Sequence, residues 1–197
     1  MARSGSAGTR REAVEAVAEA VGGSFREGKW LGGFGVKLEC DPWTLHLDLK
    51  IVNSGGSNTT YTRVSAVFLG RERLRFTARP KTFLDRMAGK IGFGGLPVGD
   101  REFARRYVVR GRPASRVRSI LSGGLASAFA APVSFRIGVG RAGRKHRKRM
   151  GPTAHQLQVL APGVDTDVDR MVSMFAVARE ALDVLRRMGA ASGEPAG

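Results

Sequence analysis

The sequence predicts an α+β fold, in which N-terminal, central and C-terminal helices pack on one face of an antiparallel sheet. Apolar and polar residues alternate across 34–79 and again across 133–139, which is the period of half-buried strands. Apolar residues also recur at helical spacing near both chain ends. We expect one domain over residues 9–189, between disordered tails at 1–8 and 190–197.

The first predicted element is a helix that begins at Thr9. Thr9 and Glu12 have the spacing of a capping box, in which two side chains satisfy backbone amides of the first turn. Four apolar residues then follow at helical spacing, Val14, Val17, Ala18 and Val21. The helix is expected to end at Gly22–Gly23, because glycine adopts the left-handed backbone found at helix C-termini.

An antiparallel meander of about four strands is predicted next. The strands are expected at residues 34–40, 45–51, 61–69 and 73–79. Asp41–Pro42 is predicted to be a turn, and the glycine- and serine-rich segment 53–58 a hairpin loop. Each strand carries apolar side chains on one face only, so the sheet is expected to have one buried and one solvated face.

Helices and strands are predicted to alternate in the second half of the chain. Thr82 has the position of an N-cap for a short helix carrying Phe83, Leu84, Met87 and Ile91. The sequence leaves open whether the glycine-rich connector at 92–99 divides two subdomains. The next elements are expected to be a strand at 106–110, a helical segment at 113–131 interrupted at Gly123–Gly124, and a strand at 133–139 paired with a strand around Leu157 and Val159.

The last predicted element is a helix with two apolar faces. Asp165, Asp167 and Asp169 stand at its start, where the unpaired amides and the helix dipole favour negative charge. One stripe comprises Val168, Met171, Val172, Phe175, Leu182 and Leu185, and the other Met174, Val177, Ala181, Val184 and Met188. A helix that is apolar on both sides is either deeply buried or half of a dimer contact, and burial is the more common outcome.

The chain has a formal net charge of +16 at pH 7, from 33 Lys and Arg against 17 Asp and Glu. This excess favours contact with nucleic acid, an anionic lipid surface or an acidic protein. Arg outnumbers Lys, and Ala, Gly and Val are abundant, which is typical of a GC-rich bacterial genome. Such codon bias would raise the number of acidic residues as well, so it does not account for the whole excess.

The sequence predicts a soluble cytoplasmic protein. Cys40 is the single cysteine, which excludes an intrachain disulfide and fits a reducing compartment. The N-terminus lacks the apolar core of a signal peptide, and the uncharged stretch at 120–135 is too short to span a bilayer. Peripheral association with an anionic membrane surface stays open.

The segment from Gly99 to Gly111, GDREFARRYVVRG, carries a recognisable pattern. It resembles that of an uncharacterised bacterial domain family, namely acidic-x-x-Phe-acidic-x-x-Phe-x-Val. Ala104 replaces the second acidic residue here, and Tyr107 replaces the second Phe. From the residues themselves, Asp100 is expected to cap a turn and Phe103 to anchor the connector in the core.

Flanking segments extend this resemblance over residues 33–139. In the family a Leu-Leu-Thr/Ser segment, a short helix and then a strand follow the pattern. Ile120–Ser122 is similar to the first of these, and 133–139 is similar to the strand. The segments at 61–64 and 67–70 are similar to the family's preceding strands. Its members often follow transmembrane segments. The resemblance implies an architecture and carries no activity with it.

Residues 141–149, RAGRKHRKR, are the strongest functional signal. Six of these nine residues are basic: Arg141, Arg144, Lys145, Arg147, Lys148 and Arg149. So many like charges repel one another, and an anionic surface would relieve that repulsion. We predict a basic loop that contacts a polyanion. The alternative is a solvated hairpin loop with no partner.

The solvated face of the predicted meander is a second cationic candidate. It would carry Lys37, Lys50, Arg63, Arg73, Arg75 and Arg79. Of these, Arg63, Arg73, Arg75 and Arg79 join the predicted polyanion-binding set. The alternative is an ordinary outer face on which arginines pair with Asp48 and Glu39.

The sequence contains no catalytic motif. The glycine-rich segments at 54–57 and 92–95 match neither a phosphate loop nor a dinucleotide fingerprint. His46 and Asp48 share a strand face but lack further metal ligands nearby, and Cys40 is expected in the core. We therefore predict a non-enzymatic accessory domain without a cofactor or metal, and the sequence identifies no small-molecule substrate. An enzyme with a non-obvious site is a further alternative.

The predicted partner of this accessory domain is nucleic acid or an anionic lipid surface. The alternative is an interaction or scaffold subunit that docks on an acidic protein through its C-terminal helix or a sheet edge.

Overall fold

The computed structural model describes residues 4–28, 33–71, 73–83, 85, 95–126 and 135–192. The strands are β1 (Ser24–Glu27), β2 (Phe34–Cys40), β3 (Trp43–Ser54), β4 (Ser57–Leu69), β5 (Arg75–Pro80), β6 (Tyr107–Arg112), β7 (Arg136–Arg141) and β8 (Ala154–Pro162). The helices used below are α1 (Ser4–Val21), α2 (Arg101–Arg106), α3 (Ala114–Ile120), α4 (Arg144–Met150) and α5 (Val168–Arg187).

The eight strands form one antiparallel sheet in the order β1-β2-β3-β4-β8-β7-β5-β6. This confirms the predicted α+β class, and β7 and β8 pair as expected. The prediction that β5 continues the meander is wrong, because β8 lies beside β4 and β5 pairs with β6 and β7. Alternation shows which face of a strand is buried, but it carries no information about neighbours distant in sequence.

Helices α1, α3 and α5 cover the apolar face of the sheet, and their buried side chains join those of the strands in one core. Helix α5 begins after Asp167, whose carboxylate accepts a hydrogen bond from the Arg170 amide at 3.0 Å. Both predicted stripes of α5 contribute to the core, through Met171, Met174, Phe175, Val177, Ala178, Ala181, Leu182, Val184 and Leu185. Burial within the molecule therefore accounts for both stripes.

The β3–β4 hairpin closes through a two-residue turn, since Ser54 pairs with Ser57. Gly55 and Gly56 both have positive φ, 57° and 86°. Two successive positive φ values are typical of a type I′ turn, whose twist matches that of the flanking strands. The loop predicted at 53–58 is therefore reduced to these two glycines.

The chain ends are more ordered than the sequence suggests. Helix α1 begins at Ser4, so Thr9 lies inside it and does not cap it. The helix ends as expected, at Gly22 with φ 68°. Near the C-terminus, Ala190 and Ala191 are buried, and the Ser192 amide donates to the Leu69 carbonyl at 2.8 Å. Within the described residues the predicted tail from 190 is thus packed on the sheet.

The central segment contains one helix that the sequence patterns do not predict. Asp100 caps α2 by accepting from the Phe103 amide at 2.9 Å, and buried Phe103 stacks on Tyr107 with ring centroids 4.8 Å apart. The expected capping and anchoring roles are confirmed. Strands β5 and β6, on either side of the connector at 92–99, pair directly with each other.

The helical segment after Pro113 is interrupted where expected. Helix α3 runs into a wide π turn, Leu121–Leu125, and Gly124 inside this turn has φ 114°. Several predicted positions lie outside the described residues, namely Leu84, Met87, Ile91, 127–131 and Val133.

The basic segment was expected to be a loop, and this expectation is wrong. Residues 144–150 form α4, a two-turn helix without buried residues, between β7 and β8. Arg and Lys are good helix formers, and Gly143 and Gly151 flank the helix on either side. Like-charge repulsion is weaker than these local preferences because water and salt screen the exposed charges.

The sheet has two distinct ends. At one end β4 finishes beside the start of β8, the end of β7 pairs with His155, and Arg75 on β5 pairs with Arg112 on β6. We call this the basic end. The other, the hairpin end, contains the Gly55–Gly56 turn, the end of β8 and the end of β5.

Candidate polyanion-binding surface

A cleft of about 650 Å³ opens at the basic end. Five arginines line it, Arg71, Arg73, Arg75, Arg112 and Arg141. We call this site the arginine cleft. Arg75, Arg112 and Arg141 lie on β5, β6 and β7, and Arg71 and Arg73 lie in the segment after β4. All five are exposed. Leu74, Pro113, Pro152, Thr153 and His155 complete the lining.

Two of these arginines face each other directly across the sheet. Arg75 and Arg112 are paired residues of β5 and β6. Side chains at such positions have Cβ atoms about 5 Å apart, and like charges placed there destabilise the strand pair. An anion that accepts hydrogen bonds from both guanidinium groups would remove this penalty.

The arginines of the cleft are not neutralised within the part of the chain that the structure describes. None of the five forms an ion pair there. Glu72, which separates Arg71 from Arg73 in sequence, lies outside the described residues. Guanidinium groups without a carboxylate partner are available for phosphate, which they bind through two parallel hydrogen bonds.

The backbone around the cleft is held by hydrogen bonds between β4, β7 and β8. The Gly70 amide donates to the Thr153 carbonyl at 3.0 Å, and the Arg71 amide donates to the Ala190 carbonyl at 3.2 Å. The Ala142 amide donates to the Ala154 carbonyl at 2.9 Å. These contacts fix the positions from which the arginines project.

His155 packs beneath the cleft. Its buried ring stacks on Phe68, with centroids 5.8 Å apart, and its Nδ1–H donates to the Thr153 carbonyl at 2.7 Å. Gly70 permits this packing, since a Cβ there would lie 2.7 Å from Cε1 of the same ring. The ring is therefore a structural support, held on both sides.

The basic helix α4 adjoins the cleft. Arg141 precedes it, Pro152 and Thr153 follow it, and all three line the cleft. The helix exposes Arg144, Lys145, Lys148 and Arg149. The chain thus connects the helix to the cleft directly, while His146, Arg149 and Met150 of α4 line a separate cavity of about 550 Å³ that also contains Glu39 and Asp41.

Two side chains of α4 differ from the exposed four. Arg147 is half-buried, and its Nε–H donates to the Ala142 carbonyl at 2.9 Å, which ties the helix to β7. Partial burial lowers the pKa of His146, and the charges of Arg149 and Lys145 lower it further. His146 is therefore neutral at pH 7 and adds nothing to the positive charge.

The structure separates the predicted polyanion-binding residues into two groups. Arg73, Arg75 and Arg141 line the cleft, and the remaining residues of the basic segment belong to α4. Arg63 instead donates to both carboxylate oxygens of Asp48, at 2.7 and 2.5 Å. This is the ordinary ion-paired face that the sequence left as an alternative.

Arg79 is neutralised in the same way. It donates to both oxygens of Asp85, at 2.6 and 2.7 Å. These hydrogen bonds, together with those from Thr82, hold the pKa of Asp85 well below its usual range. Lys37 likewise forms an ion pair with Glu39. On the solvated face of the β2–β4 region Lys37 and Arg63 are thus ion-paired, whereas Lys50 donates a hydrogen bond to the neutral side chain of Gln158.

The sequence patterns did not identify Arg71 and Arg112, which are the remaining arginines of the cleft. One signal for Arg112 is present in the sequence, whereas Arg71 is next to Glu72 and has no such signal. The segment from Phe103 to Val164 contains 13 Lys and Arg and no Asp or Glu. Arg112 therefore has no carboxylate close to it along the chain.

Other cavities lie on the solvated face of the sheet, among them the one beside α4. A shallow groove of about 280 Å³ crosses the solvated face between Lys50 and Arg136, over Gly138 and Gly140. Lys50 donates to Gln158 at 2.6 Å there. The described residues contain no cluster of three or more His, Cys, Asp or Glu side chains suited to a metal ion. They also contain no helix long and apolar enough to cross a membrane.

Comparisons with known proteins add little to this picture. No protein-family model matches the chain, and no curated protein is similar to it. Among solved structures, the chain is similar to the crystal structure of the mycobacterial trehalose monomycolate transport factor A, TtfA. That likeness covers 99% of each chain at 10% sequence identity, with a TM-score of 0.43.

Proposed function

We propose that this protein is a non-enzymatic accessory domain that binds a polyanion, nucleic acid or an anionic membrane surface, through its basic end. The observation that supports the proposal is the arginine cleft, in which no described ion pair neutralises the five arginines, together with the basic helix α4 that follows Arg141 in the chain. Elsewhere in the same sheet, Arg63 and Arg79 are paired with carboxylates. The basic end thus carries five cleft arginines without an ion pair in the described part of the chain, although exposed Arg26, Arg101, Arg105 and Arg136 elsewhere form none either.

Binding of this kind is driven by counterion release. Each Lys or Arg that neutralises a phosphate of duplex DNA steepens the plot of log affinity against log salt by about 0.9. The four exposed cations of α4 would therefore contribute a slope of roughly 3 to 4. Contacts to phosphates carry no sequence information, so the binding is expected to be sequence-independent.

The test compares the wild-type protein with a helix variant, R144Q/K145Q/K148Q/R149Q, on a fluorescent DNA duplex and on vesicles that contain phosphatidylserine. Arg147 is left in place because its bond to Ala142 supports the fold. The helix variant should bind at least ten-fold more weakly between about 50 and 200 mM salt, with a flatter salt dependence.

A charge-matched control is R26Q/R101Q/R105Q/R179Q, which removes four exposed cations outside the cleft and α4. The control should retain most of the affinity. Equal losses in the two variants would show that overall charge matters and the basic end does not. Wild-type protein that binds neither probe would refute the proposal.

An acidic protein partner is the remaining alternative. The apolar stripes of α5 are buried, so this alternative would use the exposed side of that helix or a sheet edge, β1 or β6, as the contact. Poly-glutamate is added to the same assay as a model of an acidic protein partner. Tighter binding to poly-glutamate than to the DNA duplex and the vesicles would favour the alternative.

A further inference from the structure

We infer that the arginine cleft holds a phosphate of a nucleic-acid backbone, while α4 lies along the neighbouring phosphates. This inference rests on the proposed function and narrows it to one class of polyanion. Three observations support it: the shape of the basic end, the position of the large exposed hydrophobic residues in the described part of the chain, and the kind of cation in the cleft.

The shape of the surface is the first argument. The arginines line a concave cleft. A phosphate that projects from a polymer can enter such a cleft, whereas a flat lipid surface cannot contact its full depth. The next element after Arg141 is α4, which connects β7 to β8. A seven-residue helix is about 10 Å long, close to the rise of three nucleotides at about 3.4 Å each.

The position of exposed apolar side chains is the second argument. Stable contact with a membrane surface combines basic residues with apolar side chains that enter the lipid. The large hydrophobic residues exposed in the described part of the chain are Ile51, Phe83 and Val164. Ile51 precedes the Gly55–Gly56 turn, Val164 follows β8, and Phe83 follows β5, so all three lie at the hairpin end.

The kind of cation is the third argument. All five basic residues of the cleft are arginines, whose planar groups match phosphate oxygens through paired hydrogen bonds. The cleft contains no aromatic side chain apart from buried His155, so it offers no platform on which a base could stack. It is therefore suited to the backbone and not to the bases.

The unfavourable pairing of Arg75 with Arg112 acquires a role in this arrangement. A phosphate between the two guanidinium groups accepts hydrogen bonds from both and cancels their repulsion. Without ligand, the repulsion is a cost to folding. Removal of one arginine should therefore stabilise the free protein and weaken the complex, whereas removal of a purely structural arginine would lower stability.

The experiment uses the full chain and a cleft variant, R75Q/R112Q/R141Q, with R26Q/R105Q/R179Q as the charge-matched control. Binding to a fluorescent DNA duplex, to single-stranded DNA and to phosphatidylserine vesicles is measured by titration at several salt concentrations. The cleft variant should lose about 10- to 100-fold in affinity for nucleic acid, and its salt slope should fall by roughly 2 to 3. The control should change little.

The single variant R112Q provides a test that does not depend on whether the triple variant folds. It should melt at or above the wild-type temperature and still bind nucleic acid several-fold more weakly. A lower melting temperature with unchanged affinity would overturn the role of the cleft.

The outcomes separate this inference from the function on which it rests. If the helix variant loses binding and the cleft variant does not, the cleft inference is wrong and the proposed function stands. If wild-type protein binds vesicles and not nucleic acid, the inferred partner is wrong and polyanion binding stands. If wild-type protein binds neither, both fail.

Discussion

Arginines near the two ends of the sheet have different surroundings. Near the hairpin end Arg79 is held by Asp85 and Arg170 by Asp165, whereas exposed Arg101 and Arg105 form no ion pair among the described residues. The large exposed hydrophobic residues in the described part of the chain are found at that end too. At the basic end the five arginines of the cleft have no ion pair within the described residues. The first arrangement completes the fold, and the second leaves charge available to a partner.

The difference shows that net charge alone is a poor guide to a binding site. Arg63 and Arg75 both project from the solvated side of the sheet and look equivalent in sequence. Arg63 has Asp48 as its cross-strand neighbour, whereas Arg75 has Arg112. A bidentate ion pair satisfies the guanidinium of Arg63, while the repulsion at Arg75 is left for an external anion to relieve.

The largest effect on stability should come from Gly70→Ala, which disturbs the packing of His155 beneath the arginine cleft. The added methyl would overlap the His155 ring, which cannot move because it stacks on Phe68 and donates to Thr153. We expect a loss of about 2 to 3 kcal/mol in the free energy of unfolding, measured by urea denaturation.

Gly140→Ala is the matched control for this substitution. Both glycines belong to the sheet region, but a Cβ at Gly140 meets no atom within 4 Å. Its stability should change by less than about 0.5 kcal/mol. Similar losses in the two variants would show that strand conformation, and not the His155 contact, limits position 70.

An intermediate effect is expected from Asp85→Asn near the hairpin end. Hydrogen bonds from Arg79 and Thr82 depress the pKa of Asp85 in the folded protein. A depressed pKa contributes stability above the unfolded value of about 4, and this stability is lost as the pH falls toward the folded pKa. Wild-type stability should therefore fall more steeply than that of the variant in acid-titrated thermal melts.

Glu12→Gln, at an exposed carboxylate on α1, serves as the comparison for the acid titration. Glu12 forms no ion pair among the described residues, so this variant removes a carboxylate without removing such a contact. If Asp85→Asn loses stability in acid as steeply as Glu12→Gln, the ion pair with Arg79 does not stabilise the hairpin end.

The smallest effect should be a gain in stability of roughly 0.5 kcal/mol in Arg112→Gln, because a cross-strand repulsion is removed. Thermal denaturation at low salt should show the gain, and added salt should reduce it by screening. Arg63→Gln should behave in the opposite way, since it leaves Asp48 without its partner. A gain in both variants would mean that the two ends do not differ.

Much of the fold follows from local pattern. The alternation identifies the buried faces of β2, β3, β4 and β8, and the aspartates before α5 mark its start, because these features depend on neighbours close in sequence. Short elements are harder to predict. Strand β1 has four residues at a sheet edge, none of them buried, so it leaves no alternation. Basic α4 has no apolar face, so its sequence does not show helical periodicity.

The sequence by itself determined the class of fold, the buried face of each long strand and the excess of positive charge. Only the tertiary structure decided which of those charges stay free. The insertion of β8 between β4 and β7 brings Arg71, Arg112 and Arg141 to one cleft from distant parts of the chain, and it leaves Arg63 beside Asp48. Periodicity records the surroundings of a residue along its own strand, whereas its cross-strand neighbours depend on how the whole core packs.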